Sequence, residues 1–444
     1  MTAKPLATAD LQRLRKEFGA DPTAKLLQNA LTTAELNDVA LDHDIVVSTD
    51  TSMSHRLDDW KVTNQKKSGR CWLFAGLNLL RVGAADKLGL KDFEFSQNYA
   101  MFFDKAERAN YFLQSVIELA GRPTDDRTLA TLLDDCMGDG GQWNMFVAVI
   151  AKHGLVPKSA MPETVSSSAT AQMNSSLRKI LHTAARDIRT SSDAGQQAEI
   201  AEQALATCWR ALCLHLGTPP ESFDWQWTDS DKQFHRDGVM TPQEFRDKYL
   251  TIDLDDYVCL VHDPRNQTGK TYTVELLGNV VDAPQVVYLN VDIDLMKKVT
   301  ADQIVAGSPV WFGCDVGQQM HRDRGVWDAN LRDLGAIYGT ALDLDKAARL
   351  EYHETLMTHA MLFTGVDLVT DEQGNETPRR WRVENSWGDE SADQGFYTMN
   401  DSWYSEYVFE IAAPKSMLSP ELVAALDEQP TVLPAWDPMG ALAH

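Results

Sequence analysis

The sequence predicts an α+β fold, because helical patterns dominate its first half and strand-like patterns dominate its second half. Apolar residues recur at helical spacing after Cys71 and again over residues 177–216. From about Leu276 onward, short apolar or alternating runs with the length of strands take over. A chain of 444 residues is long enough for roughly two to four domains.

The first strongly predicted helix begins at Cys71, directly after a break at Gly69. The apolar residues that follow at helical spacing are Leu73, Phe74, Leu77, Leu80 and Val82. A thiol at a helix N-terminus lies beside unpaired backbone N–H groups and the positive end of the helix dipole, and Arg70 adds a cation. We therefore expect the Cys71 thiolate to be stabilised relative to the thiol, as in a reactive cysteine.

Gln65 precedes this cysteine by six positions. A loop that folds back would point the side-chain N–H of Gln65 at an oxygen under attack by Cys71. Such a donor supplies half of an oxyanion hole. The alternative is that Cys71 is a small core residue, which is the usual role of a lone cysteine before a helix.

The middle of the chain combines a predicted linker with predicted helices. Residues 164–171 are rich in Ser and Thr and are expected to form an exposed linker. One or two helices should follow over residues 177–216, and a turn over residues 217–220. One face of the first helix carries Leu177, Ile180, Leu181, Ala184 and Ile188.

The last third predicts strands, two of which form a hairpin. Strand-like runs cover residues 285–291 and 308–313. His359 begins an apolar run, and a second run over residues 380–384 ends at Asn385. The turn residues Gln373-Gly374-Asn375 lie midway between them, so a hairpin folded there brings His359 and Asn385 together.

An asparagine that accepts a hydrogen bond from one imidazole nitrogen leaves the other nitrogen facing the thiol. Cys71, His359 and Asn385 would then form the nucleophile, base and orienting group of a thiol acyl-transfer enzyme. In isolation, His359 would more often be a core histidine with satisfied hydrogen bonds. The run from Asn385 to Gly388 is what favours the catalytic interpretation.

These motifs together resemble the papain-like cysteine peptidases: Gln65, Cys71-Trp72, His359, and Asn385-Ser386-Trp387-Gly388 in that order. Within that family, the chain is most similar to the branch of bleomycin hydrolase and bacterial aminopeptidase C. The segments that carry this closer resemblance are residues 64–72, 94–97, 139–143, 309–315 and 433–443. The similarity extends from about residue 60 to the end.

The resemblance implies a papain-like fold of two lobes, one helical and one a β-barrel, with a large, partly helical insertion and a C-terminal arm. His359 follows Cys71 at about twice the spacing of roughly 130–150 residues found in papain-like enzymes, which supports an insertion. We expect an N-terminal segment and helical lobe over 1–165, an insertion with oligomer contacts over 166–280, a barrel lobe carrying His359 and Asn385 over 281–432, and the arm over 433–444.

The resemblance also implies a cysteine aminopeptidase, with hydrolysis of bleomycin-type amides within its reach. In this family the arm lies in the cleft and its terminal carboxylate meets the α-ammonium group of the substrate, which assigns substrate binding to Ala443 and His444. Whether that carboxylate is the one present before or after trimming of His444 stays open. A disordered end is the alternative. Gly140 and Gly141 resemble the glycine pair that binds the substrate backbone, or else form a helix-start turn. Trp387 would shield the bond between His359 and Asn385, or serve only as a core tryptophan.

The family implies a homohexamer whose sites face an inner cavity, peptide substrates with a free N-terminus, and no cofactor. Cys208, Cys213 and His215 could be three metal ligands, but a fourth is missing and their segment is an apolar helix, so we expect no metal. Two alternative functions stay open at this point. The chain could be a papain-fold endopeptidase with a disordered arm, or a catalytically silent scaffold or binding protein.

Composition favours a cytoplasmic enzyme. Hydrophobic residues make up 43% of the chain, yet no run approaches the roughly 20 apolar residues of a membrane helix. The first ten residues lack the apolar core of a signal peptide, and six scattered cysteines favour reduced thiols. With 41 Lys and Arg against 65 Asp and Glu, the formal charge of −24 argues against nucleic-acid binding.

Overall fold

The computed structural model describes residues 3–57, 60–370, 372 and 374–443. Its α-helices are α1 (Thr8–Ala20), α2 (Pro22–Leu31), α3 (Leu36–Val39), α4 (His43–Ser48), α5 (Cys71–Leu88), α6 (Gln97–Glu118), α7 (Arg127–Asp134), α8 (Trp143–His153), α9 (Ala171–Thr190), α10 (Ala194–Leu216), α11 (Pro242–Tyr249), α12 (Ile293–Val305), α13 (Leu334–Tyr338), α14 (Lys346–Glu351), α15 (Asp401–Tyr407) and α16 (Pro420–Ala425). Short 3-10 helices cover Leu254–Asp256, Lys415–Met417 and Pro438–Gly440.

The strands are β1 (His55–Arg56), β2 (Phe223–Thr228), β3 (Phe234–Met240), β4 (Tyr257–Val261), β5 (Lys270–Val274), β6 (Tyr288–Asn290), β7 (Val310–Cys314), β8 (Met320–His321), β9 (Val326–Trp327), β10 (His359–Thr370), β11 (Glu376–Glu384), β12 (Phe396–Asn400), β13 (Val408–Pro414) and β14 (Thr431–Leu433). Most of them form one mixed sheet in the order β14-β5-β6-β4-β13-β7-β10-β11-β12-β9-β8, and β1 pairs with β10. The strands β2 and β3 form a separate hairpin. The fold is therefore mixed α and β, with helices concentrated before the large sheet.

Two clusters of buried side chains form the core. One cluster joins helices α5, α6 and α8–α10 to strands of the large sheet, among them β4–β7. The other lies between the large sheet and the helices α12 and α15. Helix α5 packs against β7 and β10, and the indole nitrogen of Trp311 donates to the backbone oxygen of Trp72 at 3.2 Å. The start of α5 is thereby fixed against the centre of the sheet.

The predicted helices are confirmed. Helix α5 begins at Cys71 and ends before Gly89, whose φ of 65° suits a glycine at a helix C-terminus. Residues 177–216 form two helices, α9 and α10, and the carboxylate of Asp193 caps the second. The predicted inner face of α9 is buried, although Ile180 is only partly so.

The exposed linker predicted over residues 164–171 is wrong for most of its length. Ser167 and Thr170 are buried, because their hydroxyl groups find partners inside the protein. The Ser167 hydroxyl donates to Glu163 at 2.6 Å, and the Thr170 hydroxyl donates to Asp139. The backbone oxygen of Ser168 accepts from Lys67 at 3.0 Å. This segment therefore packs against the loop that precedes Cys71.

The predicted hairpin is confirmed as β10 and β11, which pair antiparallel with Leu362 opposite Glu384. Gly374 adopts the positive φ of 86° that the turn requires; residues 371 and 373 of the turn region lie outside the described residues. Strand β7 agrees with its prediction, whereas β6 is shorter than predicted. Among the described helices, none is long and apolar enough to cross a membrane.

Candidate functional site

The Cys71 thiol lies where helix α5 meets the start of strand β10. Its side chain is fully buried, and the backbone of Ala360 lies close enough to the sulfur to lower the pKa of the thiol. Ala360 directly follows His359 in β10. The thiol and the predicted base are therefore brought to the same point of the fold from positions far apart in the sequence.

The expectation that the helix terminus and Arg70 stabilise the thiolate is wrong for the thiol on its own. Burial raises the pKa of Cys71 to about 12, although hydrogen bonds from the backbone of Ala360, Trp72 and Cys71 itself lower it. The guanidinium of Arg70 is committed elsewhere, because it binds both carboxylate oxygens of Glu163 at 3.0 and 2.8 Å. The cost of desolvating a thiolate exceeds what the helix N-terminus supplies.

His359 and Asn385 form the pair that the hairpin predicts. The imidazole Nε2 of His359 donates to Oδ1 of Asn385 at 2.9 Å, and both side chains are buried. The amide oxygen can only accept, so Nε2 carries the proton and Nδ1 is the nitrogen that Asn385 does not engage. The ring of Trp387 lies 5.0 Å from the imidazole, centroid to centroid, and packs against the local core; that it shields this pair stays a prediction.

Gln65 is buried and held from both ends of its amide. Its side-chain nitrogen donates to the backbone oxygen of Ser68 at 2.6 Å, and its side-chain oxygen accepts from the hydroxyl of Ser386 at 2.6 Å. Because a carboxamide nitrogen carries two N–H groups, the bond to Ser68 uses one of them. The link to Ser386, next to Asn385, ties the loop before Cys71 to the end of β11.

A cavity of about 740 Å³ opens in front of this loop. Its lining comes from the loop over residues 65–69, the start of α9, and two residues of the chain's own C-terminus, Ala441 and Leu442. Gly138, Asp139 and Gly140 also line the cavity. The chain end is thus a lining element of the cleft.

The C-terminal arm pairs with the glycine pair as a short antiparallel strand would. The N–H of Gly141 donates to the backbone oxygen of Ala443 at 3.1 Å, and the N–H of Ala443 donates back at 3.2 Å. A Cβ on Gly141 would lie 2.4 Å from the Trp72 ring, and one on Gly140 would lie 2.8 Å from Cβ of Leu442. Both glycines are therefore required for close approach. His444 lies outside the described residues.

The glycine pair directly precedes helix α8, which agrees with the helix-start interpretation of Gly140 and Gly141; that they bind a substrate backbone stays a prediction. Gln142 is the N-cap position of α8, and its side-chain nitrogen donates to the backbone oxygens of Ala441 at 2.8 Å and Met439 at 3.3 Å. The Tyr288 hydroxyl donates to the oxygen of Met439 at 3.1 Å. These side-chain bonds hold the arm's backbone without selecting its side chains.

Asp139 connects segments of the site in a way that the sequence analysis missed. Its carboxylate accepts from Lys105 at 2.8 Å, Asn174 at 2.6 Å and the backbone N–H of Gly69 at 2.9 Å. Burial raises the pKa of Asp139, but Lys105 and the hydrogen bonds outweigh it and hold the pKa well below its usual range. Asp139 thereby joins the loop before Cys71 to the glycine pair. Its place directly before Gly140 was the available signal.

Glu384 is a second missed residue and directly precedes Asn385. Its carboxylate accepts from Arg81 and Asn78 of helix α5, each at 2.9 Å, and also from the indole of Trp60. Burial raises the pKa of Glu384 and the charge of Arg81 lowers it. This buried ion pair connects the helix that carries the thiol to the strand end that carries the amide.

The cysteines outside the site take part in neither a disulfide nor a metal-ligand cluster among the residues that the structure describes. All six are free of disulfides. Within the part of the chain that the structure describes, no three His, Cys, Asp or Glu side chains are grouped as metal ligands. The proposed third ligand, His215, instead accepts or donates a hydrogen bond with the hydroxyl of Ser166 at 2.8 Å.

Comparison with known proteins relates the whole chain to one family. The family model described as the Peptidase C1-like family matches residues 5–440. Aminopeptidase C of Listeria innocua is 42% identical over 95% of this chain and 94% of its own length. Human bleomycin hydrolase is 39% identical over the full length of both chains. The crystal structure of PepW from Lactobacillus rhamnosis superposes with a TM-score of 0.95 at 42% identity, covering all of both chains.

Proposed function

The chain belongs to the Peptidase C1-like family and is a cysteine aminopeptidase, and we propose that Cys71 is its nucleophile and that its own C-terminal arm limits cleavage to the first residue of a peptide. The observation that carries the proposal is the pairing of Ala443 with Gly141, beside the cavity that is lined by the loop before Cys71. A backbone site already occupied by the chain end leaves room for only a short stretch of substrate.

His359 is the base that makes the buried thiol reactive. Because burial outweighs the backbone hydrogen bonds and raises the pKa of Cys71 to about 12, the thiolate forms at neutral pH by transfer of its proton to Nδ1 of His359. The resulting imidazolium keeps its Nε2 hydrogen bond to Asn385. The N–H of Ala360 further stabilises the charge on sulfur.

The acyl-transfer steps follow from this ion pair. The thiolate of Cys71 attacks the first peptide carbonyl, and the developing oxyanion accepts from the remaining N–H of Gln65 and the backbone N–H of Cys71. His359 then gives its proton to the leaving amine. Water, activated by the same imidazole, hydrolyses the thioester and releases the first amino acid.

The arm confines the substrate by occupying the backbone sites of Gly141. A peptide with further residues on the N-terminal side of the cleaved bond would need the N–H and C=O groups of Gly141, which Ala443 already occupies. The terminal carboxylate of His444 is proposed to meet the α-ammonium group of the substrate, as the resemblance implies. The formal charge of −24 suits substrates with a cationic N-terminus. Hydrolysis of bleomycin-type amides is part of the same proposal.

We further propose the finer architecture implied by the family, with papain-like lobes over 1–165 and 281–432, an insertion over 166–280 and the arm over 433–444. Two observations support it: the two buried clusters and the pairing of the arm in the cleft. A homohexamer and a cytoplasmic location stay predictions. Exposed apolar side chains on α1, α2 and α10, namely Leu14, Leu26 and Leu214, support subunit contacts.

The proposal is tested with a free-amine aminoacyl reporter beside its N-acetylated twin, each before and after iodoacetamide. We expect thiol-sensitive cleavage of the free amine alone. Equal cleavage of both reporters would make the protein an endopeptidase, and cleavage of neither would make it a silent scaffold. Cys71→Ser should abolish turnover without unfolding the protein. The control Cys213→Ser, which changes a partly exposed thiol on α10, should keep the turnover of the unmodified protein.

A further inference from the structure

The C-terminal arm reaches the cleft along an edge of the large sheet. Strand β14 pairs in parallel with β5, and the N–H of Glu275 donates to the oxygen of Leu433 at 2.9 Å. The chain then turns through Trp436 and Asp437 into the 3-10 helix Pro438–Gly440. The turn lies between the part of the arm held in the sheet and the part that occupies the cleft.

One ion pair fixes this turn to the body of the protein. Arg265 donates through Nη2 to Oδ1 of Asp437 at 2.9 Å, and the two side chains are only 18% and 14% exposed. The same carboxylate oxygen accepts from the backbone N–H of Met439 at 2.9 Å. Asp437 thus connects the guanidinium to the first turn of the cleft-bound segment.

Arg265 is held in place from the side of the body. Its guanidinium also binds Asp263 through two bonds, at 3.0 and 2.8 Å, and Asp263 is buried. The loop of Asp263 is bound to Asn290 of β6 through its backbone N–H at 2.8 Å and its oxygen at 3.0 Å. A guanidinium fixed in this way loses little conformational freedom when Asp437 docks, so the pair gains more than an exposed one would.

Other contacts of the turn are weaker. The guanidinium of Arg127 lies 4.2 Å from the ring centroid of Trp436, but both side chains are exposed. Cation–π contacts at exposed sites contribute less than desolvated ones. The bonds from Gln142 and Tyr288 hold the arm further along, inside the cleft. The ion pair of Arg265 and Asp437 therefore ties the turn to a side chain that Asp263 already holds in place.

We propose that the ion pair of Arg265 and Asp437 is a latch that determines specificity for free N-termini. It holds the arm in the cleft and so excludes peptides whose chain continues on the N-terminal side of the residue that Cys71 attacks. The inference rests on the proposed function, because it assumes that the arm is what excludes them. Loss of the ion pair would let the arm leave the cleft more often, and N-blocked or internal peptide bonds would then reach Cys71.

The test variant is Asp437→Asn, which removes the charge but keeps an oxygen for the N–H of Met439. We expect the ratio of kcat/KM for the N-acetylated reporter to that for the free-amine reporter to rise about tenfold, which corresponds to about 1.4 kcal/mol. Arg265→Lys keeps a charge but loses the planar fork, so it should raise the ratio by a smaller factor. Hydrogen exchange at residues 439–443 should quicken in both variants.

The matched control is Glu428→Gln. Glu428 pairs with Lys270 of β5 at 2.7 Å just before β14, but the two side chains are 53% and 45% exposed. This variant removes an ion pair of similar geometry from the same sheet edge, and it should leave both the ratio and the exchange rates unchanged. An equal rise in Glu428→Gln would overturn the latch, because any loss of charge at this edge would then suffice.

Removal of residues 439–444 separates failure of the latch from failure of the proposed function. If truncation raises cleavage of the N-acetylated reporter but Asp437→Asn does not, the arm gates the cleft and the latch is wrong. If truncation leaves that cleavage unchanged, the arm does not gate the cleft and the proposed function fails with it. A rise in both variants supports both proposals.

Discussion

At the scale of single residues, the reactivity of the thiol depends on its neighbours rather than on its helix. Cys71 occupies a helix N-terminus, a position that lowers thiol pKa values when the sulfur is solvated or faces cations. Here the sulfur is buried and Arg70 is paired with Glu163. We therefore expect reactivity at neutral pH to come from proton transfer to His359.

This dependence predicts the pH profile of thiol alkylation. In His359→Ala the base is gone, so the rate with iodoacetamide should stay low at neutral pH and rise only as pH approaches the raised pKa of about 12. The wild-type protein should already react at neutral pH. Alkylation rates from pH 5 to 11, followed by mass spectrometry at Cys71, measure the difference, and equal profiles would contradict the role of His359.

The same raised pKa has a consequence for stability in His359→Ala. The folded state keeps the Cys71 proton up to about pH 12, whereas an unfolded thiol loses it near its ordinary pKa of 9.0. The stability that burial of the neutral thiol provides is therefore present below about pH 9 and is lost progressively as pH rises from there towards 12. Cys71→Ser, which carries no thiol at this position, is the control that should lack this loss.

At the scale of elements, a buried ion pair joins helix α5 to strand β11. Arg81 and Glu384 are 4% and 1% exposed, and Glu384 directly precedes Asn385. Removing one partner of a buried pair leaves the other charge without compensation, which typically costs about 3–5 kcal/mol. The link also fixes the distance between the helix that carries Cys71 and the strand that carries Asn385.

We predict that Arg81→Met lowers the free energy of unfolding by about 3–5 kcal/mol and lowers kcat more than it raises KM. The reason is that Asn385 loses its anchor to α5 while the peptide-binding backbone is unchanged. Urea unfolding and steady-state kinetics measure the two effects. The control is Lys298→Met, whose ion pair with Asp302 along α12 has both side chains well exposed, at 69% and 49%, and should be worth less than about 1 kcal/mol.

Elements with a local sequence pattern could be predicted, and contacts between distant residues could not. The hairpin of β10 and β11 has a turn signal and two apolar runs, so its pairing of His359 with Asn385 followed from the sequence. The segment over 164–171 has the composition of a linker, yet burial of its hydroxyl groups depends on Asp139 and Glu163. Nothing in one sequence specifies which buried carboxylate a given hydroxyl or guanidinium will meet.

At the scale of the whole molecule, charge should govern how substrates reach the cleft. A chain with a formal charge of −24 produces a negative potential over much of its surface, which attracts cations and repels anions at a distance. Salt screens such steering beyond about 10 Å at 0.1 M ionic strength. Contacts inside the cleft are screened much less.

We therefore predict that raising the ionic strength from about 0.01 to 0.5 M lowers kcat/KM for a lysyl reporter and raises it for a glutamyl reporter, because only long-range steering is lost over this range. The salt-induced change in kcat/KM reports on long-range steering. The absolute preference for one reporter over the other does not, because side-chain contacts at the cleft contribute to that preference at every salt concentration. Alkylation of Cys71 by uncharged iodoacetamide is the control and should not vary. Parallel decreases for both reporters would place the salt effect in the fold or the arm rather than in the approach of the substrate.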